Sequence, residues 1–309
     1  MSAYLVTGGC GFIGSHLADS LVAAGNSVRI LDDFSTGKRE NAPSSAEIIT
    51  GDVADAETVR SAMAEMDGCF HLAAIASVER SNEEWIRTHQ VNLTGTVNVF
   101  DAARDSTMPV VYVSSAAIYG DNEDVPLAET ARPRPLTAYG ADKLGCEQHA
   151  RVAHGVHGIP TAGFRFFNIF GPRQDPASPY SGVISIFADR IARGQLIRIN
   201  GDGEQTRDFV YVDDAVRFLM AGMKSLPAGP EVYNVCTGKG TTINQLAEII
   251  AGVAGNDVDV SHGPPRVGDA RASVGDPSHA REVLGMEVET SIVDGLRQTL
   301  RPPEEAKAV

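Results

Sequence analysis

A glycine-rich turn near the start of the chain constrains its fold more than any other feature. Tyr4-Leu-Val-Thr7 is apolar and strand-like, Thr7-Gly-Gly-Cys-Gly-Phe-Ile-Gly14 follows it, and a helical pattern opens at Ser15. Gly8 permits a tight turn, Gly11 lets backbone approach a pyrophosphate, and Gly14 allows the helix to pack closely on the strand. The helix N-terminus then offers free N–H groups and the positive end of its dipole to a phosphate. Phe12 and Ile13 lie within this loop and are assigned with it to dinucleotide binding.

The rhythm that follows agrees. Val28–Leu31, Glu47–Thr50, Cys69–Leu72 and Val110–Val113 are short and β-rich, and helical periods occupy Ser15–Ala24, Ala56–Ala64 and Asn92–Arg104. Repeated strand–helix–strand units predict a doubly wound parallel α/β sheet of Rossmann type. Thr161–Phe170 supplies another buried strand. Beyond it, Gly171-Pro-Arg-Gln-Asp-Pro-Ala-Ser-Pro179 is rich in turn formers and the pattern becomes irregular. The expected organisation is a cofactor domain over 1–170, with later segments able to return to it, and a smaller mixed α/β substrate domain over 171–309.

The second strand ends at Asp32, 18 residues after Gly14 and near the spacing for an adenosine ribose contact. A carboxylate there accepts from ribose hydroxyls and repels a 2′-phosphate, so NAD is expected rather than NADP. Asp33 is either a second contact or a solvated loop charge. Asp52 and Val53 end the third strand, where an adenine amino group would be met.

Tyr139-Gly-Ala-Asp-Lys143 places a phenol and an ammonium on one helical face. An ordinary phenol, with a pKa of about 10, is a poor base at neutral pH. A nearby ammonium and a cationic nicotinamide ring stabilise the phenolate; three pKa units correspond to roughly 4 kcal/mol, which needs a shielded site. Ser115 leaves a parallel strand at its C-terminal end, where open α/β sheets build their sites, and can donate to a carbonyl or alkoxide beside the phenol. Together these residues suggest alcohol oxidation by hydride transfer.

Composition narrows the partners. The net charge is −14 and no Lys/Arg run offsets it, which argues against nucleic acid or an anionic membrane. A 43% hydrophobic share supports a real core, and no apolar run approaches the roughly 18 residues of a membrane span. Cys10, Cys69, Cys146 and Cys236 are scattered, and the chain opens without a leader pattern, so the expected location is the cytoplasm. His149, His154 and His157 lack a further ligand and read as surface histidines, so no metal is expected. Gly238-Lys-Gly-Thr241 reads as a helix-start turn, and no Gly-x-Ser-x-Gly elbow gives Ser115 a hydrolase setting.

The chain resembles the extended short-chain dehydrogenase/reductase family over nearly its whole length. The resemblance rests on the glycine loop, His71-Leu-Ala-Ala74, Val91-Asn92 with Gly95-Thr96, the Ser/Tyr/Lys set and Arg165-Phe-Phe-Asn168. Phe170-Gly-Pro-Arg-Gln-Asp-Pro176, Tyr180-Ser-Gly-Val-Ile184 and Gly201-Asp-Gly-Glu-Gln-Thr-Arg-Asp-Phe-Val210 are similar to the nucleotide-sugar 4-epimerases within that family.

The resemblance implies that Ser115, Tyr139 and Lys143 are catalytic and that Leu72, Ala73, Ala74, Asn92 and Phe167 line the cofactor, with Tyr139 and Lys143 also touching it. It implies that Asn168, Arg207 and Arg266 hold the diphosphate of a UDP-sugar, with Asp269 near its ribose or in the loop supporting it and Val183 beside the substrate. Related dehydratases and decarboxylases carry an acid just after the serine position, where this chain has Ala116-Ala117. Ala76 stands where hexose-type epimerases usually carry Lys, and Ser273 stands where a Tyr in some relatives excludes an N-acetyl group. The implied activity is 4-epimerisation of UDP-glucose/galactose and of the N-acetylhexosamine pair. A UDP-glucuronate 4-epimerase or another NAD-dependent nucleotide-sugar-modifying enzyme, and a non-catalytic NAD-sensing protein, are the alternatives. A homodimer built on Glu83–Gln90 and Lys143–Val152 is also implied.

Overall fold

The computed structural model describes residues 1–175, 182–265 and 270–301. Seven strands form the main sheet: β1 (Ala3–Thr7), β2 (Ser27–Asp32), β3 (Glu47–Thr50), β4 (Gly68–His71), β5 (Val110–Ser115), β6 (Thr161–Phe166) and β11 (Glu231–Val235). Their order is β11-β6-β5-β4-β1-β2-β3, and every pairing is parallel. The order reverses between β1 and β4, which opens a crevice at the C-terminal strand ends. This is the expected doubly wound Rossmann sheet.

Helices cover both faces, as a parallel sheet requires. On one face α1 (Phe12–Ala23) packs against α8 (Val212–Lys224); on the other lie α2 (Ala56–Met63), α5 (Gly95–Ala103) and α6 (Ala138–His157). Leu5, Leu31, Val99 and Phe100 anchor one apolar layer, and Val6, Leu17, Phe164 and Leu219 the other. α3 (Val78–Glu83), α4 (Trp85–His89) and a π turn over Gln90–Thr94 lead into α5, so the expected helix over Asn92–Arg104 begins in that turn.

The run Thr161–Phe170 is not one strand. β6 stops at Phe166, Phe167 turns its ring against Tyr119, and β7 (Asn168–Phe170) joins β10 (Phe209–Tyr211) in a separate two-stranded sheet. The sequence is equally apolar on both sides of the break, so hydropathy alone carries no sign of it. Two segments after residue 170 return to the first lobe: α8 lies against α1, and β11 extends the main sheet beside β6.

The remaining elements build a smaller lobe. α7 (Val183–Ala192), α9 (Ile243–Ala254) and α11 (Ile292–Thr299) pack over Ile184, Phe187, Leu246 and Leu296. β9 (Thr206–Arg207) pairs with β12 (Thr241–Thr242) and β14 (Ala272–Ser273), and β8 (Ile197–Asn200) with β13 (Val260–Gly263). α10 (Ser278–Leu284) backs β11. Gly238–Thr241 does lead to a helix: Thr242 and Gln245 form a reciprocal capping box at the start of α9. No helix among the described residues is long and apolar enough to cross a membrane.

Candidate active site

A cleft of about 700 Å³ runs along the C-terminal ends of the main sheet and reaches the smaller lobe. One end is the glycine loop. Gly8 has φ +70°, and a Cβ at Gly14 would overlap the carbonyl oxygen of Gly8, so neither position accepts a side chain without distortion. Gly11 occupies the N-cap of α1 and supplies no side-chain cap. The first amides of α1 therefore face the cleft beside Gly11, Phe12 and Ile13.

Asp32 ends β2 and is 7% exposed. Its two carboxylate oxygens each accept one backbone N–H, from Cys10 and from Phe34, both at 2.9 Å. Burial nevertheless raises its pKa above the usual carboxylate value. Each oxygen keeps a lone pair for another donor. Asp33 is exposed and accepts from the Ser35 amide and hydroxyl, at 2.9 and 2.6 Å. Asp52 and Val53 lie beyond β3, which ends at Thr50, so they belong to a loop and not to the strand end. All four residues line the cleft, as do Leu72, Ala73 and Ala74 after β4.

Asn92 does not line the cleft. It is fully buried behind it, accepting from the Ile75 N–H at 2.8 Å and donating to the Ile75 carbonyl at 3.1 Å. It braces the loop that carries Ala73 and Ala74. Beneath that loop His71 lies between Thr7 and Thr96, at 2.8 and 3.0 Å. The Thr96 hydroxyl donates to the Asn92 carbonyl at 2.6 Å, which assigns the ring proton to Nε2 of His71. Burial, aided by the Lys143 charge, pushes the pKa of His71 down to about 3.

Ser115, Tyr139 and Lys143 all line the cleft. Ser115 ends β5, and its Oγ accepts from the Ala117 N–H at 3.1 Å, leaving its own proton free to donate. Tyr139 lies in the first turn of α6, which Thr137 caps through the Gly140 N–H at 3.1 Å. Lys143 Nζ is 5.9 Å from the Tyr139 ring centroid and donates to the Val113 carbonyl at 2.8 Å. Val113 precedes Ser115 by two residues on β5, so one ammonium fixes helix and strand in register.

At the far end lie Phe167, Asn168, Arg207 and Ser273. Arg207 and Ser273 are partners in the parallel β9–β14 pairing. Val183 is the first residue of α7 and does not line the cleft. Arg266 and Asp269 lie outside the described residues. Among the described residues no group of three or more His, Cys, Asp or Glu could hold a metal. The glycine turn, the uncapped helix start and the carboxylate of Asp32 together fit the phosphates and ribose of a dinucleotide.

The profile of the NAD dependent epimerase/dehydratase family matches residues 4–236. The chain belongs to that family. Its relatives in the family include a UDP-glucose 4-epimerase of Mycolicibacterium smegmatis, 37% identical over 96% of each chain. The solved UDP-glucose 4-epimerase of Thermotoga maritima, in complex with UDP-glucose, is 37% identical with a TM-score of 0.94 over 99% of each chain. A UDP-N-acetylglucosamine 4-epimerase of Methanobrevibacter ruminantium, solved with UDP-N-acetylmuramic acid, is 37% identical with a TM-score of 0.92 over 97% of each chain.

Gly37 and Arg87 line the cleft outside the motifs of the resemblance, and Gln174 lies within one of them without an assigned place in the site. Gly37 packs so close to Asp32 that a Cβ would stand 2.8 Å from its Oδ1. Arg87, from α4, reaches Asp52 at 2.6 Å and Asp33 at 3.8 Å along one wall of the cleft. Gln174 enters from the loop after β7. The Arg87 pairing joins residues 35 and 54 positions apart, a relationship that spacing within one helix or strand cannot reveal.

Proposed function

We propose that this protein is a UDP-sugar 4-epimerase acting through a transient 4-keto sugar. The carrying observation is that Ser115, Tyr139 and Lys143 share one cleft with the glycine loop at one end and with Asn168 and Arg207 at the other. NAD, which the glycine loop and Asp32 would hold, would supply a reversible acceptor for the hydride leaving C4 of the sugar.

Tyr139 takes the proton of the sugar 4-hydroxyl, and Ser115 donates a hydrogen bond to the same oxygen. Lys143 holds positive charge near the phenol and keeps the strand end and helix aligned through Val113. Arg207 and Asn168, with Arg266, grip the diphosphate, for which a guanidinium fork is suited. A firm hold on the nucleotide lets the keto sugar turn and present its other face. Tyr139 then returns the proton to the 4-oxygen. Ala116 and Ala117, where a dehydratase or decarboxylase needs an acid, offer no proton donor.

Ser273 is small, which favours N-acetylhexosamine alongside hexose as substrate. The division at residue 170, with α8 and β11 returning to the cofactor lobe, completes this reading. Exposed Trp85 and Ile86 on α4, and Val152 and Val156 on α6, favour a homodimer through those helices. Four buried, unpaired cysteines accord with the cytoplasm.

The test is incubation with UDP-glucose, UDP-galactose, UDP-GlcNAc, UDP-GalNAc and UDP-glucuronate, with epimer ratios read by NMR, for wild type and Tyr139→Phe. Wild-type conversion lost in the variant is expected. Conversion of UDP-glucuronate alone favours the hexuronate reading, and conversion of none, with NAD still bound, favours a sensor. Full activity of Tyr139→Phe removes the mechanism.

A further inference from the structure

We propose that Asp208 is the positioning residue of the UDP-gripping end, an inference that rests on the UDP-sugar reading above. Asp208 is fully buried and lies between β9 and β10, at the joint between the two small sheets of the substrate end. Every polar atom it has is used to hold a neighbour. Its carbonyl accepts from both the backbone N–H and the Nδ2 of Asn168, at 3.0 and 3.1 Å. Its N–H donates to the Ser273 carbonyl at 3.0 Å, and Arg207 is its chain neighbour.

The side chain extends the same role. Oδ1 accepts from the Thr237 N–H at 2.8 Å and from the Thr237 hydroxyl at 2.7 Å. Oδ2 accepts from the Gly238 N–H at 2.9 Å and the Gly275 N–H at 3.4 Å. Four donors from two further segments therefore converge on one carboxylate. These segments begin the turn after β11 and follow Ser273, so Asp208 joins β7, β9, β14 and the 237–238 turn at one point. Asn168, Arg207 and Ser273 each meet it directly, while none of the glycine-loop residues does.

An amide cannot replace this group. Asn offers one acceptor oxygen, and its NH2 must point either at the pair from Thr237 or at the pair from Gly238 and Gly275. Either orientation opposes a donor to a backbone N–H inside a buried site. The strands involved are two or three residues long and have little ladder of their own to resist the change.

The experiment compares the NAD-loaded wild type with Asp208→Asn, Thr237→Val and Thr237→Ser. UDP affinity is measured by calorimetry, and KM, kcat and bound NAD are measured on the same preparations. Asp208→Asn should weaken UDP binding and raise KM by about tenfold or more, as expected for a lost buried charged hydrogen-bond set. Bound NAD and saturated kcat should stay near wild type. Thr237→Val should show a smaller loss of UDP affinity, and Thr237→Ser, which keeps the hydroxyl, should recover it. If Asp208→Asn fails to fold, the two Thr237 variants carry the test. Unchanged UDP affinity in Asp208→Asn or Thr237→Val overturns the inference, as does a parallel loss of NAD. Failure of the wild type to bind UDP overturns the functional reading as well, so the two failures are distinguishable.

Discussion

Both carboxylate oxygens of Glu147 accept from the guanidinium of Arg165, at 2.9 and 2.7 Å, with the two side chains only 5% and 7% exposed. The pair ties α6 to β6 one turn beyond Lys143. The Ser114 hydroxyl donates to the same carboxylate at 2.5 Å, and Arg165 also donates to the Tyr119 hydroxyl at 2.8 Å. Removing one partner leaves the other charge buried and alone. Glu147→Leu or Arg165→Met should each cost about 3–5 kcal/mol. The double variant Glu147→Leu with Arg165→Met should recover part of that loss. Urea unfolding of wild type and the three variants measures the difference, and additive losses would contradict direct pairing.

Lys143→Met removes the ammonium that reaches both the Val113 carbonyl and the neighbourhood of Tyr139. Turnover should fall by about 10²-fold or more, the scale on which a positioned proton-transfer group acts. Single-turnover kinetics with saturating UDP-sugar reads this directly. A wild-type rate would show that Lys143 plays no part in the chemistry.

Gly14→Ala places a methyl group into the carbonyl oxygen of Gly8, a backbone atom that cannot move aside alone. Overpacking of this kind costs about 1–3 kcal/mol. The distortion falls on the loop that faces the cleft, so NAD content after gel filtration should drop. Full NAD retention with an unchanged melting temperature would contradict the tight helix–strand approach.

His71 is neutral and fully enclosed, with its pKa pushed down to about 3. In the unfolded chain the imidazole titrates near 6.5, so between those values the unfolded state binds the extra proton. Its contribution is complete above pH 6.5 and is lost as pH falls, with a limiting slope of about 1.4 kcal/mol per pH unit. Asp32 and Asp208, whose values burial raises, act in the opposite sense, because their folded forms bind protons first. Comparing wild type with His71→Gln between pH 7 and about 4 isolates the histidine. The variant should show a flatter acid limb, and parallel curves would refute the assignment.

Ser273→Tyr fills space beside Arg207 at the substrate end. Turnover of UDP-GlcNAc and UDP-GalNAc should fall first, with UDP-glucose and UDP-galactose less affected. Competition assays with mixed substrates give the ratio, and an equal loss on both classes would sink the proposed role of a small residue there.

Local pattern made much of the molecule readable. The glycine loop, Asp32 and the Tyr139/Lys143 pair depend on spacings within one turn or one βαβ unit, and such spacings survive in a linear sequence. The seven-stranded sheet was legible for the same reason, apart from β11, which joins it after a long excursion. What stayed hidden depends on contacts between distant segments. Asn92 sounds like a cleft residue by its motif, yet its amide is closed on Ile75 and faces away. Asp52 and Val53 fall past their strand because the β2–β3 ladder ends at the Asp32–Thr50 pair and the Asp52 carboxylate then accepts from the Ala54 N–H at 2.9 Å, closing a local turn. The break at Phe167 follows from pairing with two different sets of partners, β5 and β11 on one side and β10 on the other, which are distant in sequence.

The strands under the cofactor end run four to six residues, whereas those framing the substrate end run two or three. A loop moored by so short a ladder can gain, lose or exchange residues without shifting the register of the main sheet. Change at that end is thereby mechanically decoupled from the frame that carries the glycine loop.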